Sequence, residues 1–360
     1  MKIAYYTSNR VVFPPRPEDL AASSVITADI VKNLKDRHEI TVYAPKSSSM
    51  DSVKIIDLDF ENFAIDSSIS SVDWKTKSVI GLKQLFLGKV LEDAKNYDII
   101  HLQTEPVYLG MPFVNLVQTP ILFTPHHPFY QSDKLIFEFY DGKVNMSAIS
   151  KYQSSKYPMK QDLPVIYNGL DIEKFGFNPK SKDYFLYLGR FTKEKGVEDF
   201  IELAKNNPND NFVIVGAGAL EEAVIIASGN LDNLELKGFL PRGESEWKEV
   251  LTNAKALIMP TVGEESFGMV MIEAMAFGTP VISYKKCAAP EIIDDGKNGV
   301  IVSELNIDGL KKGIDKINSL DSSKYQMMRQ KARGKIERNF TSEVMAKNYE
   351  KLYQQILYKN

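Results

Sequence analysis

The chain has 360 residues, of which 44% are apolar and 25% charged, and this is the composition of a globular protein large enough for two domains. The formal net charge is −3 with no domain-wide basic excess, so we expect no nucleic acid among its partners. The single cysteine, Cys287, excludes an intrachain disulfide framework, and the sequence has neither a signal-like apolar leader nor a run of about 18 apolar residues. These features predict a soluble, cytoplasmic protein.

Short β-rich apolar runs alternate with helical patterns along the chain, which is typical of parallel, doubly wound sheets. The first set of predicted strands comprises KIAYYTS, HEITVYA, KIIDLDF, DIIHLQT, PILFTPH, NMSAIS and PVIYNG. The second set comprises YFLYLGR, NFVIVGAG, LELKGF, KALIMPT, PVISYK and GVIV. A polar, turn-rich segment, NGLDIEKFGFNPKSKD, separates the two sets and is the predicted linker. The sequence therefore predicts an α/β protein with two Rossmann-like domains.

Several features of the first half have two interpretations each. Asp57 and Asp59 could be a metal-binding carboxylate pair, but we interpret them as residues on the solvent face of a strand. The segment from Trp74 to Ala94 carries an apolar stripe with lysines around it. It is a candidate for weak peripheral contact with a membrane, although packing on its own sheet is the simpler interpretation. His101 ends a predicted strand and either lines a cleft or stays buried.

Two cations follow the first predicted strand of the second half. Gly189 ends that strand, and Arg190 and Lys195 flank the short turn before the next helix. The carboxyl ends of parallel strands open toward one crevice, so these cations are placed to bind an anion.

The run VGAGALEE imitates the fingerprint of a dinucleotide-binding site. Glu221 stands where close helix packing needs Gly or Ala, and the unit is not the first βα turn of the chain. An NAD-dependent oxidoreductase is therefore disfavoured, and we interpret Gly216 and Gly218 as parts of a tight turn.

The most informative stretch runs from Pro260 to Ile282 and predicts a strand, a loop and a helix. Glu265 lies in the loop, and Glu273 lies about a turn and a half into the helix. The predicted helix N-terminus comprises Ser266, Phe267, Gly268 and Met269, and Val270 follows in the helix. Free backbone N–H groups there carry about half a positive charge, which suits a diphosphate. Glu273 can accept hydrogen bonds from neutral hydroxyl groups nearby, so the pattern predicts a phosphate-plus-sugar site.

Three parts of this pattern resemble one known family. The run GRFTKEKG, the spacing of Glu265 and Glu273, and VIYNGLDIEKF are similar to the retaining nucleotide-sugar glycosyltransferases of the GT-B fold, specifically family 4. The likeness continues in the first half through FPPRPEDLAASSVITADIVKNLKDRHEITVYAP, YDIIHLQTEP, PILFTPHHP and SAISKYQ. It implies two Rossmann-like domains facing a central cleft. Residues 1–165 would bind the acceptor and residues 166–340 the nucleotide sugar, with the helix at 341–360 packing back on the first domain.

The resemblance also implies the reaction. A hexose-type sugar would move from a nucleoside diphosphate sugar, with UDP favoured, to an acceptor that the sequence does not identify. That acceptor is a glycan, a lipid-linked sugar, a protein or a small molecule. The nucleotide sugar is a substrate, so no cofactor is expected, and no metal is expected because the protein's cations neutralise the leaving diphosphate. Retention of configuration would come from same-face attack, with a diphosphate oxygen as the proton acceptor.

The same resemblance assigns roles to single residues. The implied catalytic set is His126, Arg190, Lys195 and Glu265. In this set His126 reaches the donor sugar near its 6-hydroxyl, and Glu265 holds the 3- and 4-hydroxyls. Glu273 would hold the ribose. The donor-binding set adds Gly189, the turn at Gly216 and Gly218 near the base, and the helix N-terminus at 266–270.

Two departures from the family pattern leave alternatives open. The family's glycine pair in the first loop is replaced by residues from Ala21 to Ser24, which would narrow the acceptor cleft. Glycines are also missing from KKCAAPEII, where Glu291 keeps its place. The alternatives are a sugar-nucleotide epimerase of GT-B fold and a catalytically silent GT-B partner subunit.

Overall fold

The computed structural model of the protein describes residues 1–19, 21–59, 72–160 and 162–359, and for residues 72–78 and 359 it describes the backbone alone. The chain forms two compact units. The first unit comprises Met1–Gly169 and Ser342–Asn360, and the second comprises Leu170–Thr341.

Among its described residues, the N-terminal part of the first unit contains six strands and four helices. The strands are β1 (Lys2–Tyr6), β2 (Glu39–Tyr43), β3 (Lys54–Ile56), β4 (Ile99–Leu102), β5 (Ile121–Phe123) and β6 (Asn145–Met146). The helices are α1 (Ala22–Leu34), α2 (Val72–Glu92), α3 (Lys134–Tyr140) and α4 (Lys151–Lys156). Short 3₁₀ helices span Ala94–Asn96, Val107–Phe113 and Gln131–Asp133.

The second unit repeats the alternation of strands and helices. Its strands are β7 (Phe185–Leu188), β8 (Phe212–Val215), β9 (Leu234–Gly238), β10 (Ala256–Met259), β11 (Val281–Tyr284) and β12 (Gly299–Val302). Its helices are α5 (Val197–Asn206), α6 (Glu221–Asn230), α7 (Ser245–Asn253), α8 (Met269–Ala276), α9 (Ala289–Ile292), α10 (Ile307–Asn318) and α11 (Ser322–Asn339). Short 3₁₀ helices span Ile172–Lys174 and Lys193–Lys195, and the last helix of the chain, α12 (Ser342–Lys359), belongs to the first unit.

Each unit is built on one six-stranded sheet whose pairings are all parallel. The strand order is β3-β2-β1-β4-β5-β6 in the first sheet and β12-β11-β10-β7-β8-β9 in the second. Counted within its own unit, each sheet has the order 3-2-1-4-5-6 of a Rossmann fold, which reverses direction between its first and fourth strands. The predicted α/β class with two Rossmann-like parallel sheets is confirmed. The reversal points lie between β1 and β4 and between β7 and β10.

The four inner strands of the second sheet are short apolar runs because helices cover both faces of the sheet. FLYL, FVIV, ALIM and VISY are buried almost throughout, which removes the polar alternation that a one-sided sheet would show. β7 lies between β8 and β10, with Leu186 opposite Val213 on one side and Leu257 on the other. The loops that follow β7 and β10 therefore leave the sheet side by side.

The helix α12 packs on α1 within the first unit. Glu350 pairs with Arg37 at 3.0 Å and with the His38 ring at 2.7 Å. The Tyr353 hydroxyl lies 2.9 Å from the Tyr5 hydroxyl, so α12 is also tied to the central strand β1.

Two parts of the first unit differ from the sequence-based expectation. β3 ends at Ile56, and Asp57 and Asp59 lie in the turn that follows, where the Asp59 N–H donates to Asp57 Oδ1 at 2.9 Å. The interpretation of this pair as the solvent face of a strand is therefore wrong, because a left-handed backbone at Leu58 and Asp59 ends the extended run. The predicted strand PVIYNG is reduced to a single bridge between Val165 and Ala148.

Candidate active site

The loop after β7 is held against the end of β10. The Tyr187 hydroxyl donates to the backbone carbonyl of Arg190 at 2.7 Å, which shapes the start of the loop. The loop then makes a 3₁₀ turn and ends at Gly196, whose φ is +71°. A Cβ atom at Gly196 would lie 1.9 Å from the carbonyl oxygen of Pro260, so only glycine allows this approach.

The loop after β10 is joined to the loop after β7 through one carbonyl group. The Glu194 carbonyl accepts hydrogen bonds from the N–H groups of Val262 and Gly263 at 3.0 and 2.9 Å. A Cβ atom at Gly263 would lie 2.6 Å from the Glu194 Cβ, so the two backbones meet without room for a side chain. These contacts fix the relative position of the residues that come next in each loop.

The consequence is an ion pair between residues that are 70 positions apart. Lys195 Nζ contacts Glu265 Oε2, and the two side chains are 23% and 20% exposed. A cation and a carboxylate thus lie together at the carboxyl ends of β7 and β10, which is the reversal point of the second sheet. In sheets of this kind that crevice is the usual place for a ligand.

Arg190 lies in the same loop as Lys195 but has a different environment. Its side chain is exposed and makes no ion pair with any residue that the structure describes. Gly189, which precedes it, donates its N–H to the Val215 carbonyl at 3.1 Å and so continues the ladder between β7 and β8. The guanidinium is therefore available to a ligand.

The helix α8 begins beside Glu265. Gly268 caps it with a φ of +93°, and Ser266, Phe267 and Gly268 are buried while Met269 and Val270 are partly exposed. The Met271 N–H donates to the Gly268 carbonyl at 3.0 Å, whereas the N–H groups of Met269 and Val270 precede any carbonyl of the helix that they could reach, and the partial positive charge of the helix lies at this N-terminus.

Glu273 lies in the second turn of α8 and is paired with an arginine that belongs to none of the sequence motifs. Its side chain is 6% exposed, and its Oε1 atom lies 2.5 Å from Nε of Arg242 in the loop between β9 and α7. The motif around Glu273 contains no hint of this partner, because the two residues are 31 positions apart and in separate βα units.

The turn at Gly216 and Gly218 packs on the loop after β7. A Cβ atom at Gly216 would lie 1.9 Å from the Gly189 carbonyl oxygen, and one at Gly218 would lie 2.7 Å from the Phe191 carbonyl oxygen. The N–H of Phe191 donates to the Ala217 carbonyl at 2.9 Å. The glycines thus serve close packing of two backbones, which explains why they imitate a dinucleotide fingerprint.

The segment that lacks the family's glycines also contacts the site. The Glu265 N–H lies 3.4 Å from Cys287 Sγ, and Sγ lies 3.5 Å from the Gly263 carbonyl oxygen. Lys286 Nζ contacts the Val262 carbonyl. The loop that carries Glu265 is therefore supported from the β11 side as well as from the β7 side.

In the first unit, His126 follows β5 and is bound to a buried glutamine. Its Nε2 atom lies 2.7 Å from Oε1 of Gln103, whose side chain is fully buried. Burial, with a smaller effect from His127, lowers the pKa of His126 to about 3. The ring is therefore neutral at pH 7, and the bond to Gln103 fixes Nε2 as the protonated nitrogen and Nδ1 as the acceptor.

His101 is buried, as one of its two interpretations proposed. Its Nδ1 and Nε2 atoms lie 2.7 Å from the Tyr353 hydroxyl and 2.8 Å from the Thr124 hydroxyl. Burial lowers the pKa of His101 well below its usual value, so it is a neutral part of the first unit's core.

The substituted first loop begins α1. Ala21 caps the helix without a side-chain hydrogen bond, and Ser24 is buried with its hydroxyl 3.4 Å from that of Thr7. Small side chains thus fill the space beside the end of β1.

The segment with the apolar stripe forms α2 and packs on its own sheet. Phe86 and Val90 are fully buried, and the Phe86 ring stacks on Tyr6 with ring centroids 5.7 Å apart. Leu85 and Ile80 of the same helix are 54% and 38% exposed. Among the helices that the structure describes, none combines the length and the apolar character needed to cross a membrane.

Within the described ranges, no group of three or more His, Cys, Asp or Glu side chains could hold a metal ion. Asp59 is paired with Lys46 at 2.7 Å rather than with a second carboxylate facing a common centre.

The second unit matches a known family. Residues 171–335 match the model of the family described as Glycosyl transferases group 1, and this range contains both ion pairs of the site. An uncharacterized glycosyltransferase of Methanocaldococcus jannaschii is 28% identical over 245 residues, which are 63% of this chain and 67% of that protein.

Two solved structures are similar over nearly the whole chain. HepE of Anabaena, in complex with UDP and glucose, has a TM-score of 0.74 at 18% identity and the match covers 98% of this chain and 99% of that one. Sucrose-phosphate synthase from Thermosynechococcus elongatus has a TM-score of 0.77 at 16% identity, with 100% of both chains covered. At these identities the likeness concerns the fold.

Proposed function

We propose that this chain is a group 1 glycosyltransferase of GT-B fold, that it transfers a hexose-type sugar from a nucleoside diphosphate sugar to an acceptor, and that it retains the anomeric configuration, as in family 4. The acceptor is a glycan, a lipid-linked sugar, a protein or a small molecule. UDP is the favoured nucleotide, and the UDP complex of the similar Anabaena protein supports this choice.

The observation that carries the proposal is the ion pair of Lys195 and Glu265 beside the N-terminus of α8. Cleavage at the anomeric carbon gives the diphosphate additional negative charge, so cations and amide dipoles placed at the leaving group lower the barrier. Lys195, Arg190 and the first-turn N–H groups of α8 supply this charge. Glu265, next to the cation, is the group for the sugar hydroxyls.

The remaining residues orient the donor. Glu273 accepts hydrogen bonds from the ribose hydroxyls, and the tight turn at Gly216 and Gly218 lies near the base. His126 contacts the sugar near its 6-hydroxyl as a neutral ring, which can accept a hydrogen bond from a hydroxyl at Nδ1. We assign no protein nucleophile, and the acceptor proton passes to a diphosphate oxygen during same-face attack.

No metal or cofactor is part of this proposal. The diphosphate is neutralised by three positive groups, namely two side chains and a helix N-terminus. In other enzymes, a divalent ion held by carboxylates neutralises such a charge.

A thermal-shift screen against UDP, GDP and ADP sugars in EDTA tests the proposal. We expect one nucleotide to raise the melting temperature of the parent and of Lys193→Met, which removes an exposed lysine from the same turn, but not of Lys195→Met. No shift with any nucleotide would contradict the proposal. An epimerase would be recognised by conversion of the sugar nucleotide into an isomer without release of the nucleoside diphosphate.

A further inference from the structure

Arg242 has no role in the donor site described above, although it contacts one of the site's carboxylates. It lies in the loop between β9 and α7, and its side chain is 36% exposed. Its Nε atom reaches Oε1 of Glu273 at 2.5 Å across from the neighbouring βα unit. The contact therefore joins the loop after β9 to the helix α8.

Glu273 depends on this contact. Its side chain is 6% exposed, and a carboxylate so far removed from water is costly unless a cation or several donors compensate its charge. Among the described residues, Arg242 is the cation that pairs with it, and this hydrogen bond uses Oε1 alone. The second oxygen, Oε2, accepts no bond from a described residue.

We propose that Arg242 is a positioning residue that holds the Glu273 carboxylate in place through Oε1 and directs Oε2 toward the ribose hydroxyls of the donor. This inference rests on the proposed function, since it deepens the role given there to Glu273. A guanidinium suits the task because it is always charged and its Nε–H donates in a direction fixed by a planar, rigid group, whereas a flexible ammonium group can rotate away.

The positioning role predicts selectivity for ribose rather than a general gain in affinity. An oriented Glu273 can accept hydrogen bonds from two ribose hydroxyls, so removing these hydroxyls should weaken ligand binding to the parent about tenfold or more. Without Arg242, the Glu273 side chain loses its orientation, and a ligand with ribose hydroxyls should bind no better than one without them.

Calorimetry with two ligands tests this selectivity. The ligands are the nucleoside diphosphate that binds best among UDP, GDP and ADP, and its 2′,3′-dideoxy counterpart. We expect the parent to prefer the ribose form about tenfold or more, Arg242→Gln and Glu273→Gln to lose the preference, and Arg242→Lys to keep part of it. Binding of the dideoxy form should be nearly equal in all four proteins.

The matched control is Lys237→Gln, which removes the cation of a nearby pair with Glu235 at 2.7 Å on β9. It should keep the full preference for ribose. If Arg242→Gln does not fold, the double variant Arg242→Gln/Glu273→Gln removes the uncompensated charge, and it should bind both ligands as Glu273→Gln does.

The outcomes separate this inference from the proposed function. A parent that binds neither ligand overturns the proposed function and the inference with it. A parent that binds both ligands equally, or an Arg242→Gln variant that keeps the preference or weakens both ligands to the same extent, overturns the positioning role and leaves the donor site in place.

Discussion

Replacing Lys195 with methionine should lower kcat/KM by more than the loss of one positive charge alone would explain. Methionine keeps the length of the side chain and removes the ammonium group. The lost charge-assisted hydrogen bond to the diphosphate is worth about 1.5 to 3 kcal/mol. Glu265, which is 20% exposed and contacts Lys195 Nζ, would then face the incoming diphosphate without its cation.

The electrostatic repulsion between Glu265 and the diphosphate adds to the free energy that is lost with the hydrogen bond. Two like charges about 8 Å apart repel by about 2 kcal/mol at the effective dielectric constant of about 20 that suits such sites. The sum is about 3.5 to 5 kcal/mol, so kcat/KM for the donor should fall by at least about 10². Water can replace the unidentified acceptor as the nucleophile, so release of the nucleoside diphosphate measures the reaction.

The double variant Lys195→Met/Glu265→Gln isolates the coupling between the two residues. Because the second substitution removes the unpaired charge, the double variant should be no slower than Lys195→Met alone. Lys193→Met, on the same 3₁₀ turn, is the control and should stay within a few fold of the parent. Strictly additive losses, or unchanged kinetics in Lys195→Met, would refute the reasoning.

Three further predictions concern the carboxylates, the histidine and metal ions. In calorimetry with bare nucleoside diphosphate, Glu265→Gln should bind nearly as well as the parent and Glu273→Gln more weakly, whereas identical losses would mean that their roles are misassigned. His126 has a folded pKa of about 3 and an unfolded one of about 6.5, so its NMR signal should stay constant from pH 8 to 5 and its contribution to stability should decline as pH falls from 6.5 to 3. Gln103→Glu should raise the pKa of His126, and an ordinary titration near pH 6.5 in the parent would contradict its burial. Donor turnover should persist in excess EDTA, and complete loss that manganese restores would overturn the metal-free site.

The architecture of each unit could be predicted from the sequence because its determinants are local. Apolar runs of four or five residues between helical patterns indicate buried parallel strands, and Gly268 before an apolar run marks the start of α8. The prediction that Asp57 and Asp59 lie in a strand failed because a local backbone conformation ends the strand before them. At Leu58 and Asp59 a left-handed backbone ends β3, and the alternating pattern of KIIDLDF gave no sign of it.

The candidate site could be predicted only in part because its pairings are not local. The sequence predicts that Lys195 and Glu265 each follow a strand. Their contact, however, depends on hydrogen bonds to the Glu194 carbonyl and on the absence of a side chain at Gly263. Arg242 was missed because the segment around it matches no motif and its partner lies in another βα unit. A buried glutamate needs a compensating cation. This rule could have prompted a search for a basic partner of Glu273, but it could not have identified Arg242 among the arginines of the chain.

The most direct test of the metal-free diphosphate site is a calorimetric series in EDTA with the nucleoside, the monophosphate and the diphosphate of the preferred base. The site described here predicts that affinity rises with each phosphate, that Lys195→Met loses most of the gain from the diphosphate, and that Lys193→Met keeps it. A parent that binds the diphosphate no more tightly than the nucleoside would contradict the account.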